Sequence, residues 1–203
     1  MSTYTPYNPF TSTYPKLYPA QLIETLSSLQ SCLILDTEAI GKIGKEGQCI
    51  EVSVVHYPSR EVFLNTLIQP IEIEDNYENS TAYKIHGISR EELERAPTFK
   101  EVWTDLLPLL VNKFGPIAAF NADYDMRSIR NTAMKNGINP PPLKATCLMK
   151  LYDSLRELDF YASLDEATQY YNIDTSKYTE RHRALADTLI TCDVLQAMLE
   201  EIK

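Results

Sequence analysis

Three short segments of the chain carry residues whose types suit metal-assisted hydrolysis. Carboxylates are hard oxygen ligands for divalent cations such as Mg²⁺ and Mn²⁺. An imidazole, with an ordinary pKa of about 6.5, can take up a proton near neutral pH. The segments are LILDTEAIG with Asp36 and Glu38, FNADYDM with Asp125, and ERHRALADT with His182 and Asp187.

The first segment places two acids where a buried strand ends. Asp36 and Glu38 are two positions apart, so on a strand both side chains project from one face while Thr37 points away. Neighbouring carboxylates repel each other unless a proton or a cation lies between them. The spacing is compatible with a cation site, although a solvated strand end gives the same D-x-E pattern.

In the second segment a buried strand runs into a helix. Asp123 suits a helix N-cap, because its carboxylate can accept first-turn N–H groups. Asp125 lies in the first turn, where the helix dipole favours an acid. Taken alone, each acid is explained by a capping or dipole role.

The third segment decides whether His182 and Asp187 can act together. Five residues turn a helix by about 500°, which leaves these side chains about 140° apart. They can share a site only if His182 lies in the loop before the helix and Asp187 lies inside it. The polar stretch NIDTSKYTERH before the periodic ALADTLITCDVLQAML permits this. The alternatives are an exposed histidine and an ion pair between Arg183 and Asp187.

The elements that must position these groups predict an α/β layer fold with a mixed sheet. The β-branched residues over 48–69 predict two strands in a hairpin. CLILD and IAAF predict two further buried strands. Three pairs of residues have the spacing of capping boxes, which predicts three helix starts: Ser89 with Glu92, Thr98 with Glu101, and Ser163 with Glu166.

Further helices are predicted from apolar periodicity. They cover residues 20–30, about 123–135, about 147–156 and about 183–201. Each of the three acidic segments therefore lies at the edge of a predicted core element.

Composition limits the class of protein. A chain of 203 residues with 44% hydrophobic content fits one globular domain. A net charge of −9 disfavours a surface that coats nucleic acid but is compatible with an acidic metal site. The four cysteines lie far apart without a C-x-x-C pair, so we expect buried thiols in a reducing compartment.

The first 19 residues differ from the rest in composition. They are rich in Tyr, Pro, Ser and Thr, which predicts a flexible or extended arm before a domain over residues 20–203. The arm could bind a protein partner, although a mobile terminus is the plainer alternative. No leader and no apolar run of about 20 residues is present, so we expect a cytoplasmic protein without a membrane contact.

In combination and order, the motifs resemble those of the DnaQ-like 3′→5′ exonucleases of the DEDDh type. DTE at 36–38, NADYD at 121–125 and HRALAD at 182–187 carry the resemblance, together with IEVSVVHY and AYKIHGISREELERAPTFKEVWTDLLPLL. It covers roughly residues 32–200. The resemblance implies a ribonuclease-H-like fold with a central mixed sheet flanked by helices.

The resemblance also implies roles for the five residues. Asp36, Glu38, Asp125 and Asp187 would bind two divalent cations, Mg²⁺ or Mn²⁺, and His182 would be the general base. Four further residues would contact the terminal nucleotide, namely Ala39, Ile40, His86 and Asn121. Ala39 and Ile40 stand where relatives often have two threonines, so a hydroxyl contact is lost.

The function that follows is hydrolysis at the 3′ end of single-stranded nucleic acid, releasing nucleoside 5′-monophosphates. We expect DNA as the substrate more than RNA. The alternatives are an RNA-trimming exoribonuclease and a catalytically silent binding module, and the presence of all five residues speaks against the silent module. Because the sequence ends at Lys203, soon after the last motif, we expect a standalone nuclease more than a polymerase subunit.

Overall fold

A five-stranded sheet forms the centre of the molecule. The computed structural model describes residues 17–41, 47–111, 114–180 and 182–203. The sheet order is β3-β2-β1-β4-β5, with β1 antiparallel to β2 and parallel to β4. The predicted mixed sheet is therefore confirmed. The strands are β1 (Cys32–Ile40), β2 (Gln48–Tyr57), β3 (Glu61–Leu67), β4 (Ile117–Ala119) and β5 (Thr146–Cys147).

Helices flank the sheet, and the predicted capping boxes are present at the starts of three of them. In each box a Ser or Thr side chain accepts from a first-turn N–H, and a Glu side chain accepts in return from the cap N–H. The helices are α1 (Pro19–Ser27), α2 (Thr81–His86), α3 (Arg90–Arg95), α4 (Phe99–Leu110), α5 (Ala122–Lys135), α6 (Leu148–Leu155), α7 (Leu164–Tyr170) and α8 (Ala184–Glu201).

Strand β1 lies between two hydrophobic clusters. Leu33 and Leu35 pack with α4 and α5, whereas Cys32 and Ile34 pack with α8. Successive side chains of a strand point to opposite faces. Continued along β1, this alternation turns Asp36 towards the α8 side and Thr37 towards the α5 side.

One predicted boundary was wrong and one strand was missed. Strand β1 continues to Ile40, beyond the predicted CLILD, because β2 pairs with it along its whole length. The helix expected over about 147–156 is confirmed as Leu148–Leu155, but the two-residue strand β5 before it was not predicted. So short a strand has no periodicity of its own, and its pairing with β4 defines it.

The four cysteines agree with the expectation of buried thiols. All four cysteines are buried and free of disulfide bonds. None of the helices in the described part of the chain combines the length and apolar character that a membrane crossing requires. Residues 1–16 of the predicted arm lie outside the described residues. Helix α1 begins at Pro19, where proline suits the first helical position.

Candidate active site

The two acids of β1 stand on one face at the end of the central strand. Asp36 and Glu38 are partly buried, and Thr37 between them is buried on the other face. Glu38 pairs in register with Glu51 of β2. The register shifts between Glu38 and Ala39, because Ile50 of β2 is passed over in the pairing with β1. The extra residue of this irregularity thus lies on β2, opposite the end of the acidic segment.

Asp125 reaches the same strand end from the opposite layer. It lies in the first turn of α5, is only 2% exposed, and accepts a hydrogen bond of 2.8 Å from Thr37 Oγ1. Thr37 thus connects the strand that carries Asp36 to the helix that carries Asp125. No pattern in the sequence pointed to this role of Thr37.

Asp123, two residues earlier, has a different environment. The cap position of α5 is Asn121, which makes no side-chain capping bond, so the predicted N-cap role of Asp123 was wrong. The helix starts one residue before Asp123, so Asp123 belongs to the first turn and its side chain points towards solvent. It forms an exposed ion pair of 2.6 Å with Lys150.

His182 and Asp187 lie on either side of the start of α8. His182 stands in the preceding loop with a φ of 62°, and Asp187 is buried in the first turn of the helix. His182 Nδ1 is 3.8 Å from Asp187 Oδ2, and the His182 side chain is 47% exposed. The division between loop and helix that the angular argument required is therefore confirmed.

Arg183 pairs with Glu51 and not with Asp187, so the alternative ion pair between Arg183 and Asp187 was wrong. Its guanidinium binds Glu51 of β2, with an Nη2–Oε1 distance of 2.8 Å and Nε distances of 3.1 Å to both oxygens. Sequence reasoning missed Glu51. The available signal was an acid inside the otherwise apolar and β-branched strand IEVSVV.

Burial and the charges of neighbouring carboxylates raise the pKa values of the acids on β1. Burial, then the charges of Asp187, Glu51 and Asp125, raise the pKa of Glu38 to about 9. Burial, then the charges of Asp125, Glu38 and Asp187, hold the pKa of Asp36 well above its ordinary value. Burial raises the pKa of Asp125 to about 7, although the hydrogen bond from Thr37 opposes this.

The donor set fits hard divalent cations. Four carboxylates from three elements repel one another when nothing positive lies between them, and oxygen ligands of this kind are those that Mg²⁺ and Mn²⁺ prefer. Within the described ranges, no three His, Cys, Asp or Glu side chains are already arranged to hold an ion. A bound cation would therefore have to draw these carboxylates closer together.

The residues expected to contact the nucleotide lie around this centre. Asn121 is exposed at the start of α5. Ala39 and Ile40 are each only 6% exposed, and Ile40 packs against Ile50 and other apolar side chains. The Ile40 side chain therefore supports a small apolar cluster, and its backbone follows the register shift between β1 and β2.

His86 is buried at the end of α2. Its Nδ1 accepts a hydrogen bond of 3.1 Å from the Ile88 N–H, and its ring stacks on Tyr77 with 6.3 Å between centroids. Burial lowers the pKa of His86 to about 4, so the imidazole is neutral at physiological pH. The third histidine of the chain, His56, lies on β2, and its two ring nitrogens form hydrogen bonds with the hydroxyls of Ser31 and Ser59.

Comparison with known proteins agrees with this geometry. The family model described as exonuclease matches residues 33–195, a range that contains all five residues of the site. The uncharacterised exonuclease CP81 of Escherichia phage 186 is 27% identical over 179 residues, covering 82% of this chain and 87% of that protein. DNA polymerase III subunit epsilon of Haemophilus influenzae is 31% identical over 180 residues. The match covers 82% of this chain and 66% of the polymerase subunit.

Solved structures share the fold. The nuclease domain of 3′hExo, a DEDDh family member bound to rAMP, superposes with a TM-score of 0.69 at 18% identity, covering 85% of this chain and 92% of that one. E. coli exonuclease I with a dA16 oligonucleotide gives a TM-score of 0.63 at 15% identity, covering 83% of this chain and 40% of that one. These likenesses confirm the predicted ribonuclease-H-like exonuclease fold.

Proposed function

This chain belongs to the DnaQ-like exonuclease family, and we propose that it is a metal-dependent 3′→5′ exonuclease of the DEDDh type. It would remove nucleoside 5′-monophosphates from the 3′ end of single-stranded nucleic acid. The observation that carries the proposal is the position of the acids: Asp125 is hydrogen-bonded to Thr37, between the partly buried Asp36 and Glu38, and Asp187 lies 3.8 Å from the half-exposed His182.

The four acids would hold the cations. Asp36 and Glu38 come from the central strand, whereas Asp125 and Asp187 come from helices on its two sides. Two ions, Mg²⁺ or Mn²⁺, would stabilise the charge that develops on the attacking and leaving oxygens of the scissile phosphate. Asp36 is the best candidate to contact both ions, because it stands on the central strand and feels the charges of Asp125, Glu38 and Asp187.

His182 would be the general base. Its side chain is half exposed in a loop and so remains accessible to substrate and water. Since Nδ1 faces Asp187, Nε2 is left to take the proton from the attacking water. Asp187 would then orient the ring and stabilise the imidazolium that forms.

The end of the nucleic acid would lie beside the register shift between β1 and β2. The backbone at Ala39 and Ile40, the exposed side chain of Asn121 and the neutral imidazole of His86 are the candidates to contact the terminal nucleotide. A neutral, buried His86 suits a hydrogen bond to a base or sugar better than an ionic contact with phosphate.

DNA is the favoured substrate, and RNA is the second candidate. The polymerase subunit and the exonuclease I complex with dA16 support DNA. The 3′hExo domain bound to rAMP and the related 3′-exonuclease that recognises a histone mRNA stem-loop support RNA. A protein partner bound through the N-terminal arm also remains a proposal, and deletion of residues 1–16 followed by a capture assay tests it.

The test uses a single-stranded DNA and an RNA of the same sequence, each labelled at the 5′ end or at the 3′ end. With Mg²⁺, we expect the 5′ label to show a descending ladder and the 3′ label to appear at once as mononucleotide. Circular single-stranded DNA should resist cleavage. Internal fragments, or cleavage that persists in EDTA, would contradict the proposal, and the ratio of the two initial rates decides between DNA and RNA.

A matched pair of variants links the activity to the site. Asp125→Asn and Asp123→Asn remove the same charge two residues apart in one helix turn. Because Asp125 is buried in the site and Asp123 is an exposed partner of Lys150, only Asp125→Asn should abolish the ladder.

A further inference from the structure

We propose that Glu51 and Arg183 form the positioning pair of the catalytic centre, which holds the start of α8 and the adjacent His182 against the central sheet. This inference rests on the proposed function and assigns a task to two residues outside the metal-binding set. Neither Glu51 nor Arg183 would contact the reacting atoms.

Glu51 is placed between the two halves of the site. It belongs to β2, is only 3% exposed, and pairs in register with Glu38 of β1. Its carboxylate accepts hydrogen bonds from the guanidinium of Arg183, which lies 132 residues later in the sequence. Glu51 is therefore the direct connection between the strand pair that carries Glu38 and the segment that carries His182.

The carboxylate of Glu51 also caps α8 from outside the helix. Arg183 occupies the cap position and makes no side-chain capping bond, so the first-turn N–H groups need another acceptor. Glu51 Oε2 accepts from the Ala184 N–H at 2.9 Å. A buried acid on a neighbouring strand thus does what a Ser, Thr or Asp cap does in other helices.

Two residues of the proposed catalytic set, His182 and Asp187, lie close to this contact in the sequence. Arg183 directly follows His182, and Ala184 opens the helix turn that contains Asp187. His182 has a φ of 62°, which is uncommon for a residue with a side chain and requires support from its surroundings. The two-pronged contact of Arg183 and the bond to Ala184 provide that support.

Arg183 also neutralises the negative charge that Glu51 would add to the site. An uncompensated Glu51 would add a fifth repelling carboxylate beside Glu38 and Asp36. Arg183 binds both oxygens of Glu51 in the planar geometry that guanidinium and carboxylate favour. The pair is therefore neutral overall, which leaves the other four acids as the net charge that attracts cations.

The test compares Glu51→Gln, Arg183→Met, Arg183→Lys and the double variant Glu51→Gln/Arg183→Met. Each is assayed well below its Tm, with kcat, KM and the Mg²⁺ concentration for half activation measured separately. We expect Glu51→Gln and Arg183→Met to lower kcat about 10- to 100-fold, as loss of outer-sphere partners typically does. KM and the Mg²⁺ requirement should change less than about threefold.

The double variant and the conservative variant sharpen the test. If the two residues act as a pair, the double variant should be no worse than the poorer single variant. Arg183→Lys keeps the charge and should retain more activity than Arg183→Met. Arg95→Met is the matched control, because it removes an exposed ion pair with Glu91 and should leave kcat unchanged.

Three results would overturn the inference. A lower Tm with unchanged kcat would make the pair merely structural. A raised Mg²⁺ requirement with unchanged kcat at saturation would make Glu51 a metal ligand. The third readout, amide hydrogen exchange over residues 182–188, is independent of activity: we expect faster exchange in Glu51→Gln, and unchanged protection would overturn the inference. An inactive wild type would instead refute the proposed function, and the exchange experiment would still decide the positioning.

Discussion

The two halves of the candidate site are held in different ways. Asp36 and Glu38 stand on the central strand, where backbone pairing with β2 fixes their positions. His182 stands in a loop, and its position depends on side-chain contacts of its neighbours. The comparison indicates that the backbone of the sheet places the proposed metal ligands of β1, whereas side-chain interactions place the proposed base.

The loop before His182 has a second attachment of the same kind. Asp193 of α8 accepts a hydrogen bond of 2.8 Å from the Tyr178 hydroxyl and forms an ion pair of 3.0 Å with Lys177. Arg60 of the β2–β3 turn also binds Asp193. Carboxylates thus bind the chain on both sides of His182. Asp193 binds Lys177 and Tyr178 before it, and Glu51 binds Arg183 after it.

The largest effect is expected for Asp36 on the central strand, where loss of activity and gain in thermal stability should occur together. Asp36→Asn should lower the cleavage rate about 10³-fold or more, since several kcal/mol of charge stabilisation depend on the cations. The same change should raise the Tm of the metal-free protein, because it removes one of several buried and mutually repelling carboxylates. Single-turnover rates and thermal unfolding in EDTA measure the two effects, and a loss of both would contradict this account.

On the loop side the pattern should differ. His182→Ala should lower the rate about 10²- to 10⁴-fold, the usual contribution of a general base. Its effect on Tm should be small, since the side chain is half exposed. His182→Asn is the control, because asparagine tolerates a positive φ. Equal losses in both variants support the base, and an active His182→Asn would show that only the backbone conformation matters.

Thr37 tests the connection between the sheet and α5. Thr37→Val removes the 2.8 Å hydrogen bond to Asp125 while keeping the shape of the side chain. We expect a loss of about 10-fold in rate, because Asp125 would lose its orientation. Thr104→Val, in which the lost hydroxyl bonds only to an exposed backbone carbonyl, should leave the rate unchanged. Equal rates in both variants would show that Asp125 needs no support from Thr37.

The smallest effect is the pH dependence of stability. The pKa of Glu38 is raised to about 9 and that of Asp125 to about 7, so the folded protein keeps protons that the unfolded chain releases. The free energy of unfolding of the metal-free protein should therefore fall as pH rises from about 4.5 to 9. Mg²⁺ should raise the Tm more at pH 9 than at pH 5. A stabilisation by Mg²⁺ that does not change with pH would contradict this.

Local patterns predicted most of the elements, because strand alternation, helix periodicity and capping boxes are short-range features. The roles of the five candidate site residues came instead from the resemblance carried by the combination and order of the motifs. The long-range contacts could not be predicted in this way. Thr37 and Asp125 are 88 residues apart, and Glu51 and Arg183 are 132 apart. The pairing of Arg183 with Glu51 instead of Asp187 depends on how closely β2 approaches α8, which no local spacing encodes.

The most direct test of the central claim, that strand and loop form one catalytic centre, is a double-mutant cycle between Asp36→Asn on β1 and His182→Ala in the loop. Single-turnover cleavage of 5′-labelled single-stranded DNA with Mg²⁺ gives the rate for each single variant and for the double variant. If the residues act as a unit, the double variant should be about as slow as the slower single variant, since such effects are strongly non-additive. Losses that multiply, or progressive 3′ shortening that survives both substitutions, would contradict the account.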